Sequence, residues 1–265
     1  MEIPHWKRKT PFQKEWEALC KREKAFLERR KLKKESVLNQ LLTEKVPEKL
    51  QHTLDIAFEK AFLLIFEKGT GIIEKTYSKE ALKNKYKVNL YADELYHNRK
   101  SLRVFSKNAN KAGIKNQVLS GAAGVGMGIF GIGLPDIPVF TGMILKCIYE
   151  IALHYGFDYN SETEKYFILL LIEGAVSYGN HLMEINDKIE VFSLSPHLPE
   201  YYLPEEQIAN TSSMLSKELL YMKFLQGIPI VGVLGGAYDI VYMKQICEYT
   251  KIKYQKRFLH EYKKE

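Results

Sequence analysis

Two histidine–glutamate pairs in this 265-residue chain have the spacing at which side chains share one face of a helix. Glu150 and His154 are four residues apart, and His181 and Glu184 are three apart. Each pair could supply two ligands to a metal ion, but a catalytic zinc ion needs a third protein ligand, and the pattern H-E-x-x-H is absent. Such neighbours are ordinary side-chain pairs on a helix. The sequence therefore predicts no catalytic residue, no metal site and no cofactor.

A glycine motif that resembles a nucleotide-binding loop runs from Gly126 to Gly131 and matches G-x-G-x-x-G. A dinucleotide site also needs a preceding β-strand and a βαβ unit. Residues 111–120 do not have the pattern of a strand, and Pro135 and Pro138 interrupt the chain that follows. The motif is therefore not interpreted as a nucleotide site.

Two aspartates stand at matching places, each at the end of an uncharged glycine-rich segment. Asp136 and Asp239 both occur in the pattern G-x-x-D-I, about 100 residues apart. An aspartate ahead of a helix accepts hydrogen bonds from free backbone N–H groups. The two residues are therefore predicted to be either helix caps or a pair of acids with a shared role.

The two glycine-rich segments are the most unusual part of the chain. Residues 116–135 and 224–238 contain no charged residue. The first is about as long as the roughly 20 apolar residues that cross a bilayer, although Asp136 and two prolines interrupt it. Glycines at helical spacing also let two helices approach closely, so a buried hairpin is the alternative to contact with a membrane. The glycines predicted to pack or to contact a membrane are Gly121, Gly124, Gly128, Gly131, Gly133, Gly227, Gly232, Gly235 and Gly236.

The positive charge of the chain is concentrated at its two ends. Residues 1–35 contain 12 Lys/Arg against 6 Asp/Glu, residues 251–265 contain 6 against 2, and residues 36–250 contain 21 against 24. Basic ends are attracted to anionic lipid, and nucleic acid is not expected because no zinc-finger or RNA-binding motif is present. The alternative is that these residues form solvated helix faces. The residues predicted to contact anionic lipid are Lys7, Arg8, Lys9, Arg29, Arg30, Lys31, Lys33, Lys34, Lys256 and Arg257.

Apolar residues recur with the period of a helix in almost every segment, and no strand-like alternation is present. One helix is predicted to start near Pro47, with a stripe that includes Leu54, Phe58 and Phe62, and to end at Gly69 and Gly71. The capping-box pattern Ser161-Glu-Thr-Glu164 predicts the start of a helix that continues to residue 182, and Pro204 is predicted to begin another helix. A further apolar stripe, Phe140, Ile144, Ile148, Ile151 and Tyr155, is predicted to follow the first glycine-rich segment.

The predicted fold is an all-α multi-helix bundle in which the two glycine-rich segments pack together. A basic amphipathic N-terminal helix over residues 1–40 is expected to precede a helical domain over residues 41–265. The three scattered cysteines, Cys20, Cys147 and Cys247, indicate a reducing compartment, with Cys147 and Cys247 in the core.

Three blocks of the sequence resemble the EcsC protein family. They are the run from Gly121 through Gly-Leu-Pro-Asp-Ile-Pro to Gly156, the later block from Ile228 to Asp239, and the start of a helix at Val46-Pro-Glu-Lys-Leu. The resemblance covers roughly residues 40–262 and leaves the basic segment before residue 36 unexplained. It implies a bacterial protein on the cytoplasmic side of the membrane, in a family named for a gene beside an ABC-transporter pair linked to secretion. It implies no catalytic residues.

These observations together lead us to expect a non-enzymatic helical accessory protein. It would associate with the inner face of the cytoplasmic membrane, as a peripheral or partly embedded protein, and an ABC-transporter subunit would be its protein partner. The alternative is a soluble helical binding module with an apolar pocket and no membrane role.

Overall fold

The protein is an all-α bundle, as the sequence predicts. The computed structural model describes residues 9–31, 48–129, 137–225 and 235–263; within these ranges it leaves out the side chains of 68–70, 72, 117–129, 221–225 and 235–240. The α-helices in these ranges are α1 (Pro11–Lys31), α2 (Glu48–Leu64), α3 (Thr70–Glu74), α4 (Lys79–Tyr96), α5 (Arg99–Ile129), α6 (Ile137–His154), α7 (Glu162–Val176), α8 (Gly179–Leu194), α9 (Pro204–Leu225) and α10 (Gly235–Tyr262).

The centre of the bundle is formed by α6, α7 and α10. The apolar stripe predicted to follow the first glycine-rich segment, from Phe140 to Tyr155, is fully or almost fully buried along α6 and in the turn after it. Helices α2, α4, α5 and α10 pack around α6, and α8, α9 and α10 pack around α7. A helix that is apolar on nearly all sides requires neighbours on all sides, which explains why α6 and α7 are the innermost helices.

Helix ends follow local signals that can be recognised in the sequence. The Ser161 Oγ accepts a hydrogen bond from the Glu164 backbone N–H (3.1 Å), which confirms the predicted start of α7. Pro204 is the first residue of α9, as predicted. The prediction that α7 continues to residue 182 is wrong, because Ser177 caps it and Gly179 adopts a left-handed φ of 57°.

The helix that starts near Pro47 was also expected to end at Gly69 and Gly71. Instead α2 passes into a π-helical turn, Ile65–Gly69, and then into α3. The stripe predicted for α2 is buried, including Leu54, Phe58 and Phe62. A single glycine is tolerated within a helix at a cost of about 1 kcal/mol, and packing of the apolar stripe compensates for that cost.

Two glycines allow unusually close contacts between elements. A Cβ atom on Gly174 of α7 would lie 2.5 Å from the ring of Tyr249 on α10. Gly156, in the turn after α6, has a φ of 87°, and a Cβ there would lie 2.3 Å from the ring of Tyr86. Side chains at both positions would overlap an aromatic ring, so glycine is required for α7 to approach α10 and for α4 to approach the α6 turn.

Candidate functional site

Helices α5 and α10, which carry the two glycine-rich segments, pack against each other in antiparallel orientation. The rings of Phe105 and Phe258 lie 4.6 Å apart, and further along α5 a Cβ on Gly113 would lie 3.6 Å from Lys251 and 3.7 Å from Cys247. Residue numbers rise along α5 as they fall along α10. The end of α5 at Ile129 and the start of α10 at Gly235 are therefore at the same end of the pair, which we call the charge-free end.

The individual glycine contacts stay a prediction. Gly121, Gly124 and Gly128 lie in the last part of α5, and Gly235 and Gly236 open α10. The other residues predicted for this region lie outside the described residues: Gly131, Gly133, Asp136, Gly227 and Gly232.

The prediction that Asp239 caps a helix does not fit the backbone. Helix α10 begins at Gly235, so Asp239 lies within the first turns of the helix rather than ahead of it. A capping residue precedes the first helical residues.

One helix in the described part of the chain, α6, is long and apolar enough to cross a membrane. Its hydropathy averages 1.3, and 72% of it is buried inside the protein. Because α2, α4, α5 and α10 surround it, α6 has the surroundings of a core helix.

Three residues predicted to contact lipid bind other protein groups inside the fold. The Arg30 side chain is buried, donates to the Ser177 carbonyl oxygen (3.1 Å) and lies over the Tyr178 ring. Lys256 bridges Glu23 and Glu190, at 2.7 Å to each. Arg257 donates to both carboxylate oxygens of Glu164, at 3.0 and 2.7 Å. These three side chains are occupied by protein partners, which corrects the expectation that they face lipid.

The remaining residues predicted to contact lipid differ in their surroundings. Lys9 pairs with Glu17 and Arg29 with Glu248, each at 2.7 Å and with the basic side chain more than half exposed. Lys31 is exposed at the end of α1. Lys7, Arg8, Lys33 and Lys34 lie outside the described residues.

Helix α5 carries a basic surface that was not predicted from the sequence. Residues 99–115 contain six Lys/Arg and no Asp/Glu. Acidic residues elsewhere in residues 36–250 balance these six charges, so the net charge of that long region does not reveal them. Counting charge helix by helix, or noting the four-residue spacing of Arg99, Arg103, Lys107, Lys111 and Lys115, would have revealed this surface.

The glutamate and histidine of the first possible metal pair are in different environments. Glu150 accepts from Asn116 Nδ2 (2.9 Å) and from Lys146 Nζ (2.5 Å). Burial lowers the pKa of His154 to about 4, so its ring is neutral at pH 7. His181 lies 3.8 Å from Glu184 on an exposed surface. Within the described ranges, no group of three His, Cys, Asp or Glu residues is arranged to hold a metal ion.

Cys147 of α6 and Cys247 of α10 form a disulfide, with Cα atoms 6.4 Å apart. Both residues are fully buried, which confirms their predicted place in the core. Their pairing was not predicted, because 100 residues separate them and only the packing of α6 on α10 brings them together. The disulfide does not fit the reducing compartment that the scattered cysteines were expected to indicate. The thiol of Cys20 is free and partly buried.

Glu173, near the end of α7, is a buried acid that the sequence did not indicate. Its Oε1 accepts from Gln207 Nε2 and from Thr211 Oγ1, both at 2.6 Å and both from α9. Burial raises the pKa of Glu173 to about 7, against the partial opposition of these hydrogen bonds and of Lys188. Glu173 is therefore a group that titrates near neutral pH inside the α7–α9 contact.

We expect the stability of the protein to fall as pH rises from about 4.5 to about 7 because of Glu173. The folded state binds the proton of Glu173 more tightly than the unfolded state does. The stabilisation from this proton is therefore complete below the pKa of the unfolded state and is lost as pH rises through the pKa of the folded state. The free energy of unfolding falls by about 3 kcal/mol at most. Glu173→Gln should abolish this part of the pH dependence and be more stable than wild type above pH 7. Urea unfolding over a pH series measures it.

Glu184→Gln is the matched control, because Glu184 is exposed on α8. It should leave the pH dependence unchanged. An unchanged profile in Glu173→Gln would mean that another group causes the pH dependence.

Comparisons with known proteins identify one family over nearly the whole chain. The model of the EcsC protein family matches residues 13–259. Protein EcsC of Bacillus subtilis (strain 168) is 24% identical over 252 residues, which cover 93% of each chain. No solved structure matches. The family match begins inside α1, nearer the N-terminus than the resemblance near residue 40 indicated. The chain therefore belongs to the EcsC protein family.

Proposed function

We propose that this protein is a non-enzymatic accessory protein that associates with the inner face of the bacterial cytoplasmic membrane through its charge-free end. The observation that carries the proposal is the antiparallel packing of α5 and α10. It brings residues 116–129 and 235–238, all without charge, to the same end of the helix pair. Two adjacent uncharged segments can enter the apolar part of a bilayer at a far lower cost than segments that carry charge.

Exposed apolar residues near the charge-free end also support association with a membrane. Val139 of α6 and Val241 of α10 remain 42% and 38% exposed. Both residues lie in the first two turns of helices that begin at the charge-free end. Exposed apolar residues beside an uncharged segment favour a membrane over water as the surroundings of that end. A transporter subunit in the same membrane is the class of protein partner that we propose with it.

Sedimentation with vesicles tests the association. We expect the purified chain to pellet with vesicles of phosphatidylglycerol and phosphatidylethanolamine, and pelleting should weaken as salt rises because salt screens the attraction between basic side chains and lipid. Vesicles of phosphatidylcholine alone should retain much less protein.

Two results would contradict the proposal. Equal pelleting with neutral and anionic vesicles at every salt concentration would remove its electrostatic part. Complete recovery of the protein in the soluble fraction of cells, without salt, alkali or detergent, would favour the soluble binding module instead.

A further inference from the structure

The outer face of α5 is a continuous basic surface. Leu102, Phe105, Ala109 and Ala112 form the buried side of this helix. The basic residues occupy the opposite side, because they differ from the buried row by about half a turn at 100° per residue. We call them the basic face of α5, and they are Arg99, Lys100, Arg103, Lys107, Lys111 and Lys115.

Most of these charges have no acidic partner. Glu15 of α1 lies 2.6 Å from Arg99 Nε and 3.7 Å from Arg103 Nε. The four lysines of the basic face are exposed and form no ion pair within the described part of the chain. Within the described part of the chain, one carboxylate therefore pairs with two of the six cations, and the surface has an excess of positive charge.

The basic face also has the length to receive several anions. Open space borders it from Arg99 to Ile114. From Arg99 to Lys115 the helix rises about 24 Å. A row of cations of this length fits a row of phosphate groups better than a single small anion.

The position of this surface indicates where the phosphates come from. Helix α5 continues without interruption from Lys115 into residues 116–129, which have no charge. Ile114 is 58% exposed beside Lys111 and Lys115. A helix that lies along the membrane surface with its cations at the phosphates places the uncharged residues that follow them against the apolar layer. A nucleic acid has no apolar layer to match the second half of the helix.

We infer that the basic face of α5 binds the phosphate groups of anionic phospholipids and holds the charge-free end of the molecule against the bilayer. This inference rests on the proposed association with a membrane and names the surface that makes the contact. The basic face of α5 takes the role that the sequence predicted for Arg30, Lys256 and Arg257. The side chains of those three residues bind partners inside the fold.

Charge reversal on this face tests the inference in the full chain. The variant carries Lys100→Glu, Lys107→Glu and Lys111→Glu, all exposed positions. The control carries Lys49→Glu, Lys60→Glu and Lys217→Glu, which are exposed on α2 and α9 and make the same change in net charge. Thermal unfolding should show that both variants are folded. Binding is measured by sedimentation with vesicles of phosphatidylglycerol and phosphatidylethanolamine.

We expect the α5 variant to lose about a hundredfold or more in partition coefficient, because each lysine near an anionic membrane contributes about fivefold. The control should change less, because its three lysines lie on α2 and α9 and not on the basic face of α5. Inorganic phosphate at the phosphate concentration of the vesicles should not displace wild type from them, which separates a lipid surface from free phosphate as the ligand.

Other results would contradict the inference, the proposed function or both. Equal losses in both variants would show that net charge, not this face, determines binding. Wild-type binding with no loss in the α5 variant would overturn the inference and leave the proposed function standing, whereas no binding by wild type would overturn both. Tighter α5-dependent binding to a short DNA duplex than to vesicles would identify nucleic acid as the partner instead.

Discussion

Replacing Arg257 with methionine is expected to lower the free energy of unfolding by about 3–5 kcal/mol, because removing one partner of a buried ion pair leaves the other charge unpaired. The Arg257 guanidinium lies 4.1 Å from the ring centroid of Phe157 and donates to both oxygens of Glu164. Both side chains are less than 10% exposed. Methionine is unbranched and uncharged, so it keeps part of the apolar packing, and among the described residues it leaves Glu164 with Tyr254 as a donor (2.7 Å). Urea unfolding followed by circular dichroism measures the change.

Lys31→Met is the matched control, because the sequence predicts the same lipid-contact role for Lys31 and the structure leaves it exposed. It should alter stability by less than about 0.5 kcal/mol. Combining Arg257→Met with Glu164→Gln should recover part of the loss, since no unpaired charge then remains buried. If Arg257→Met kept full stability and instead weakened binding to vesicles, the original assignment of Arg257 to lipid would be right.

The architecture could be predicted because its signals are local. The stripe of Leu54, Phe58 and Phe62 and the cap at Ser161 depend on residues within one or two turns of each other. Helical period and capping are read from such short windows. Where a boundary was predicted wrongly, at Gly69 and after Ser177, tertiary packing and a single cap determined how far the helix continued.

The roles of the charged residues could not be predicted in the same way. Arg257 and Glu164 are 93 residues apart, and Lys256 and Glu23 are 233 apart. A basic residue that pairs inside the fold has the same sequence signature as one that faces lipid. The basic face of α5 had a local signal, six cations without an acid, but summing charge over a long central region concealed it.

The second large effect is expected at Lys253, where α1, α8 and α10 meet. The Lys253 side chain is fully buried, and its Nζ donates to Asn186 Oδ1 and Glu190 Oε1, each at 2.6 Å, and to Glu23. Lys253→Met should cost about 3–5 kcal/mol at pH 7, because two carboxylates then share Lys256 alone. Burial by itself would raise the pKa of Glu190, but Lys253 and Lys256 hold it below the ordinary value of 4.5.

Acid should reduce the difference between Lys253→Met and wild type. Because Glu190 has a lowered pKa in the folded state, its contribution is present above pH 4.5 and is lost as pH falls through the folded pKa. Urea unfolding at pH 7 and near pH 4 measures both values. Lys244→Met, exposed on the same helix, should change neither. An equal loss at both pH values would show that lost packing, not the unpaired carboxylates, causes the destabilisation.

The same variant tests whether the N-terminal helix is a separate unit, as the predicted boundary near residue 40 implies. Helix α1 packs on α5, α8 and α10, and Glu23 joins it to Lys253 and Lys256. If α1 folds with the bundle, Lys253→Met should lower the protection of α1 amides and of α10 amides together in hydrogen exchange. Double replacement with Glu23→Gln should restore part of the stability. Loss of protection confined to residues 9–31 would instead show that α1 detaches alone and that the boundary after it is real.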